Sequence, residues 1–325
     1  MRVCLVGHFD KIDEGVRNVA RNLFSELYNN PEIEIIKTDI RSLLFNNKIK
    51  EFKPEIFHFV ISPTITGIFV AKVVSFFFPC SKVIISAVHP NIPKNRLLKY
   101  LKPDLIFVQS DVSSILFEYL DYNVSFLYNG VDIEKFRPIN SNFEKQKLKE
   151  KYGIPKDKFV ILHLASFKKQ RNLEIFKKLN DAEKIVVLIG RPKEKYDKHL
   201  IKEMNSSGCI VFIEHFTHIE DFFNLSDCYV FPTVDPKACI ETPLSVLEAL
   251  SCNIPVITTK FGSLPFLFEE GNGLYFVETD EDILKNLDLI KKGGVKLQNR
   301  SKVSVFRWSE ISKMLLDCYK KIIKH

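Results

Sequence analysis

The sequence predicts an α/β protein made of two doubly wound, parallel-sheet domains. Three observations lead there. Short apolar runs of strand length alternate with segments of helical length and period in both halves of the chain. The 325 residues exceed what one compact core usually holds. A polar stretch, 138–158, separates the two series.

In the first half, Val3–Val6, Ile33–Ile36, Ile56–Ile61, Val83–Ala87, Leu105–Val108 and Val124–Leu127 read as buried strands. Val16–Tyr28, Thr64–Phe78, Lys94–Tyr100 and Ser110–Leu120 read as the helices between them. Strands joined through helices pair in parallel, which builds βαβ units and a doubly wound sheet. The second half repeats the scheme. Its strands are Phe159–Ala165, Lys184–Ile189, Ile210–Phe212, Cys228–Phe231, Pro255–Thr258 and Leu274–Phe276. Its helices are Leu173–Leu179, Glu194–Met204, Ile219–Leu225, Pro243–Ser251 and Glu281–Lys291, the last opened by a capping box from Thr279 to Asp282. The polar stretch holds one amphipathic helix around Glu144–Tyr152, and Ser309–Ile323 forms a final helix. The expected domains are residues 1–138, residues 139–308, and a closing helix in 309–325 that crosses back to the first. Val73–Phe78 is greasy on all sides, so its helix either packs deeply or docks on something apolar; deep packing is the expectation.

Composition narrows the class. With 46% apolar and 27% charged residues, the chain is neither disordered nor collagen-like. The net charge of +7 is mild, and the cations form no stripe interleaved with aromatics, which argues against nucleic acid as a partner. The cysteines, at 4, 80, 209, 228, 239, 252 and 318, are scattered and lack zinc-ligand spacing, so they read as small core residues in a reducing compartment. No secretory leader is read at Arg2–Gly7, and the apolar stretch Ile56–Cys80 is broken by His58, Pro63 and Lys72 before reaching the length of a bilayer span. A cytoplasmic protein follows, with a place at the inner face of the membrane compatible.

Ligands of doubly wound sheets bind beyond the carboxyl ends of the strands, so the residues after each strand are the candidates. The segment from Gly7 to Asn18 runs from strand to loop to helix, with Gly15 at the helix start, where free N–H groups face an anion. It is not the dinucleotide fingerprint, and a plain turn reads equally well. His89 follows the fourth strand, where an imidazole would project into an interdomain cleft; an ordinary hydrogen-bonded surface or core histidine is the alternative. Asn129-Gly130 is a turn signal and nothing more. After the strand beginning at Phe159, the cations Lys168, Lys169 and Arg171 are suited to a diphosphate, Arg by forking two oxygens; a solvated basic loop is the alternative. Glu248 stands among Leu247, Ala249 and Leu250 in an apolar helix, a costly place for a carboxylate unless hydroxyls donate to it. Glu241 is expected at the start of that helix, facing the cleft.

Several segments in order resemble the GT-B glycosyltransferases of the retaining group 1, or family 4. They are Asp104–Ser110, Asn129–Asp132, Glu248-Ala249-Leu250 with Ile254–Ile257, and Phe306–Ser309 before the closing helix. The resemblance covers nearly the whole chain. It implies two Rossmann-like domains flanking a cleft. A nucleotide-diphosphate sugar would be held mainly by the C-terminal domain, a glycan or lipid acceptor by the N-terminal one, and the transfer would retain anomeric configuration. It implies that Glu248 binds ribose hydroxyls, that Arg171 with Lys168 or Lys169 and the amides near Gly15 hold the diphosphate, and that His89 and Glu241 act at the transferred sugar. No cofactor or metal is implied, and Asp280 and Asp282 read as helix caps.

Three departures from the family pattern stand out. The family's first Glu lies eight residues before the second, whereas Ile240 occupies that place and Glu241 is one short. Pro243 replaces a glycine, and Ser166 replaces an arginine. These keep open a degenerate GT-B protein that binds nucleotide or glycan without turnover. An epimerase on the same fold is also open.

Overall fold

The computed structural model describes the chain apart from residues 11–13, 44–45, 91–95, 165, 193–196 and 325. Two compact units result. Unit 1 comprises Met1–Gly130, Cys239–Pro243 and Phe306–His325; unit 2 comprises Val131–Ala238 and Leu244–Val305.

Unit 1 starts with β1 (Arg2–Val6), α1 (Gly15–Tyr28), β2 (Glu34–Thr38), α2 (Asn47–Phe52), β3 (Ile56–Ile61) and α3 (Ile65–Phe77). β4 (Lys82–Ala87), a 3-10 segment at Arg96–Tyr100, β5 (Leu105–Val108), α4 (Asp111–Tyr119) and β6 (Val124–Phe126) follow. The strands form one sheet in the order β2-β1-β3-β4-β5-β6, every pair parallel. Side chains alternate across it. Cys4, Val6, Phe57, Phe59, Ile61, Val83 and Ile85 share a core with Ile49 of α2, Ile68 of α3, Leu98 and Phe117 of α4. Those helices therefore cover one face, and each such side chain fully removed from water contributes ~1.5–3 kcal/mol.

Unit 2 contains α5 (Asn142–Lys151), β7 (Phe159–Leu164), 3-10 segments at Lys169–Arg171 and Leu173–Lys178, β8 (Lys184–Gly190), α6 (Lys198–Ser206), β9 (Ile210–Ile213) and α7 (Glu220–Leu225). Then come β10 (Cys228–Phe231), a 3-10 turn at Pro236–Ala238, α8 (Leu244–Ser251), β11 (Val256–Thr259), α9 (Leu264–Leu267), β12 (Leu274–Val277), α10 (Asp280–Lys291) and α11 (Asn299–Val303). Its sheet, β12-β11-β10-β7-β8-β9, is again parallel throughout. The capping box at Thr279 and Asp282 forms as expected and starts α10.

The chain then returns to unit 1 as α12 (Trp308–Lys324), which packs against α1. On that side of the sheet His58 of β3 is completely buried. Its Nδ1 lies 2.5 Å from the Tyr319 hydroxyl of α12 and its Nε2 lies 2.7 Å from Ser86 Oγ of β4. Burial pushes the imidazole down to about 3. Trp308 lies so close to the 129–130 turn that a Cβ on Gly130 would stand 2.6 Å from the indole. The Asn-Gly pair is therefore a packing requirement as well as a turn.

Several expectations are corrected. The predicted Leu173–Leu179 helix is a 3-10 segment, as is the described part of Lys94–Tyr100; Lys94 and Asn95 lie outside the described residues. The Glu194–Met204 helix starts at Lys198, where Asp197 caps it, and Glu194–Tyr196 also lie outside. Deep packing of Val73–Phe78 holds only for Val74, with Val73, Ser75 and Phe78 half-buried. The inward stripe of α3 is Gly67, Ile68, Ala71 and Val74, so Phe76 and Phe77 fall outside it, 80% and 62% exposed.

Candidate functional site

In unit 1 the site candidates gather where β1, β4 and β5 end. β4 hands on to Val88 and His89, and the Val88 carbonyl accepts the Glu241 N–H at 3.0 Å. The structure thus brings the neighbourhoods of His89 and Glu241 together across a large separation in sequence. His89 is half-buried. Gly15 begins α1 as predicted, and a Cβ there would meet the Ile240 side chain at 3.0 Å, so this segment also packs on the glycine. Beside it Arg17 binds the carboxylates of Asp10 and Glu14.

Glu241 is not at the helix start. The residue before a proline is disfavoured in the helical region, so α8 begins only after Pro243. Glu241 belongs to unit 1, 3% exposed, and its Oε1 accepts from Ser110 Oγ at 2.5 Å and Ser113 Oγ at 2.7 Å. Ser110 is also the N-cap of α4, accepting the Ser113 N–H. Burial raises the Glu241 pKa and the two hydroxyls oppose that; the amino end of α4 is an electrostatically favourable place for the charge. Next to it the Thr242 N–H donates to Gln109 Oε1 at 3.1 Å, and Asn129 Nδ2 donates to the Thr242 carbonyl at 2.8 Å. Sequence reasoning missed Gln109, Ser110 and Ser113 as the seat of this segment. The available signal was a pair of polar residues directly after a fully apolar strand.

In unit 2, β7 leads into the cationic loop. Lys168 and Lys169 are exposed, whereas Arg171 is only 7% exposed. The guanidinium carbon sits 5.9 Å from the Phe231 ring at the end of β10. No ion pair to Asp or Glu is found for Arg171 among the described residues, and its Nε–H is buried without a hydrogen-bond partner. His163 of β7 is held through Nδ1 by the Val230 carbonyl at 2.7 Å. Burial, with the charge of Arg171 acting in the same direction, pushes His163 down to about 3. The loop thus presents one buried cation and two exposed ones at the carboxyl end of the sheet. Such an arrangement suits an anion with several oxygens.

Glu248 lies in the second turn of α8. Val246, Leu247, Ala249 and Leu250 are buried, while Glu248 is half-buried in line with Leu244 and Ser245. Its carboxylate therefore points away from the packed side of the helix. The structure keeps Arg171 and Glu248 in one unit and His89, Glu241 and Gly15 in the other. Among the described residues no group of three or more His, Cys, Asp or Glu is placed to hold a metal.

Two six-stranded parallel sheets with flanking helices are a two-domain, Rossmann-like GT-B fold. HepE of Anabaena in complex with UDP-glucose superposes with a TM-score of 0.76 at 14% identity, covering 99% of this chain and 100% of that one. The sequence pattern of the family described as "Glycosyl transferases group 1" matches residues 144–303. N-acetyl-alpha-D-glucosaminyl L-malate synthase of Bacillus anthracis is 20% identical over 210 residues, 58% of this chain and 53% of the relative. Alpha-monoglucosyldiacylglycerol synthase of Acholeplasma laidlawii is 24% identical over 194 residues, 56% of this chain and 47% of the relative. The chain spans about half the length of the curated relatives it matches. The family match spans just under half of the chain, residues 144–303, and the structural neighbours show the fold.

Proposed function

We propose that the protein transfers a sugar from a nucleotide-diphosphate sugar to a glycan or lipid acceptor, with retention at the anomeric carbon and without a metal. The observation that carries the reading is Arg171, a buried guanidinium with an unpartnered Nε–H at the carboxyl end of the unit 2 sheet. When the bond between the anomeric carbon and the diphosphate oxygen breaks, both electrons leave with the diphosphate. Arg171, with Lys168 or Lys169, meets that growing charge; fixed donors of this kind contribute several kcal/mol to such steps. The acceptor oxygen bonds to the anomeric carbon and its proton passes to the departing phosphate, so no separate base is consumed. Glu248 accepts the ribose hydroxyls, a role that explains a half-exposed carboxylate on an apolar helix.

His89 acts at the transferred sugar, and the N–H groups at Gly15 face the donor's anionic end. Glu241 positions the 239–243 segment beside His89, its Oε1 accepting from Ser110 and Ser113. The diacylglycerol named for the Acholeplasma relative supports a lipid among the acceptors.

The commitment of Glu241 to two serines also favours a second reading, a GT-B protein that binds nucleotide but has lost turnover. Calorimetry with UDP, GDP and ADP, followed by product analysis with the matching nucleotide sugars, tests both. Arg171→Met and Glu248→Ala should each weaken nucleotide binding at least tenfold while the proteins stay folded. Wild-type protein that binds no nucleotide would end both readings; binding without transfer to any acceptor leaves the second.

A further inference from the structure

We infer that Arg300 is the positioning residue for Glu248: its guanidinium clasps the carboxyl end of α8 to the 131–136 stretch and so sets where that helix presents its carboxylate. α8 has only eight residues, so about two turns must hold Glu248 in place. Val246, Leu247, Ala249 and Leu250 pack its inner side, which fixes the face of so short a rod better than its slide or tilt. The last carbonyls of a helix lack donors within it. Here the Glu248 and Leu250 carbonyls accept the N–H groups of Cys252 and Asn253, both at 3.0 Å, with Asn253 turning in the left-handed region at φ 55°. The Ser251 carbonyl accepts instead from Arg300 Nη1 at 2.9 Å. A cation at that end also complements the helix dipole.

The same guanidinium reaches further. Nη1 also donates to the Phe136 carbonyl at 3.0 Å and lies 3.3 Å from Ser251 Oγ, while Nη2 donates to the Ile133 carbonyl at 2.9 Å. Ser251 Oγ donates to the Phe136 carbonyl at 2.5 Å, and Ser251 is completely buried. Helix end, 131–136 stretch and guanidinium therefore form one closed set of bonds. The stretch is itself fixed, since the Phe136 ring meets that of Phe223 in α7 edge-on at 5.7 Å. The clasp is anchored from behind. The Arg300 N–H donates to Asn253 Oδ1 at 3.2 Å. Asn299, completely buried, donates to the Ile254 and Gly273 carbonyls at 2.7 and 3.0 Å, just ahead of β11 and β12. A planar fork serves carbonyls in three segments at once, which the point charge of a lysine does less well. All of these residues belong to unit 2, as Glu248 does. The inference rests on the ribose role proposed for Glu248 and adds a residue outside the site that governs it.

Calorimetry of the full chain tests it, with whichever of UDP, GDP and ADP wild type binds tightest and with the 2′,3′-dideoxy form of the same nucleotide. Wild type should prefer the ribose form at least tenfold, and Glu248→Ala should bring the two within twofold. Arg300→Met leaves Glu248 in the chain yet should cut the preference to within threefold, with Arg300→Lys falling between it and wild type. Added to Glu248→Ala, Arg300→Met should change binding of the ribose form by less than twofold, because the group it positions is gone. Should Arg300→Met not fold, Ser251→Ala removes one hydroxyl from the clasp and should lower the same preference at least threefold. An Arg300→Met protein that keeps the wild-type preference, or that binds both forms more weakly by one common factor, would overturn the inference and leave Glu248 its role. Wild type that binds both forms equally would end the reading of Glu248 itself.

Discussion

Burial of His58 makes the stability of unit 1 sensitive to mild acid. In the folded protein its pKa is lowered to about 3 by burial, against 6.5 for an ordinary imidazole. Between those values the unfolded chain binds a proton that the native chain excludes, so stability is lost as pH falls below the unfolded pKa. Each pH unit inside the window costs about 1.4 kcal/mol, so going from about pH 7.5 to about pH 5 should remove roughly 2 kcal/mol. Carboxylates held low, such as Asp39, act only at more acidic pH and do not enter this interval. Glu241, held high, acts with the opposite sign, and comparison with a variant cancels it. The assay is urea unfolding followed by fluorescence. The single tryptophan, Trp308, lies in unit 1 with His58, so the signal belongs to the right unit. His58→Gln keeps polar atoms for Ser86 and Tyr319 but has no titration. Its unfolding free energy should change by about 2 kcal/mol less than that of wild type over the same interval. Equal pH dependence in the two proteins would refute the reasoning.

Two further predictions concern packing. Gly130→Ala drives a methyl into the Trp308 ring and should cost about 1–3 kcal/mol, read from the same fluorescence midpoint; an unchanged midpoint contradicts the close approach. Glu241→Ala strands the Ser110 and Ser113 hydroxyls, at about 1–3 kcal/mol for each donor left without its acceptor. Glu241→Gln keeps an acceptor oxygen and should restore most of that loss. Because the folded pKa of Glu241 is raised, its charged form costs stability as pH rises through that value, and the Gln variant should lack this loss at neutral pH. Alanine and glutamine variants of equal stability would exclude the buried bonds.

Much of the fold was legible because parallel strands buried on both faces, such as Ile56–Ile61, write themselves as continuous apolar runs. Helix starts were legible where a side chain caps them, as at Thr279. What the sequence concealed depends on partners far along the chain. Nothing near Glu241 says that Ser110 and Ser113 receive it. The rule before Pro243 could have excluded it from α8. Phe76 and Phe77 look like core by composition, and only the helical phase set by Gly67, Ile68, Ala71 and Val74 turns them outward. Arg171 was singled out as a cation, but its burial against Phe231 arises from packing of a 3-10 segment on the end of β10, which sequence spacing does not reveal.

The return of α12 to unit 1 reverses the usual order in which a chain matures on the ribosome. Domains generally fold as they emerge, the first one first. Here, when Gly130 leaves the exit tunnel, all six strands of unit 1 have been made, but Tyr319 and Trp308 have not. His58 has Ser86 beside it but must wait for Tyr319 while the whole of unit 2 is translated. Unit 2 is complete at Val305, so the half synthesised later is the first that can finish, and the nascent first half is the one that needs protection from aggregation.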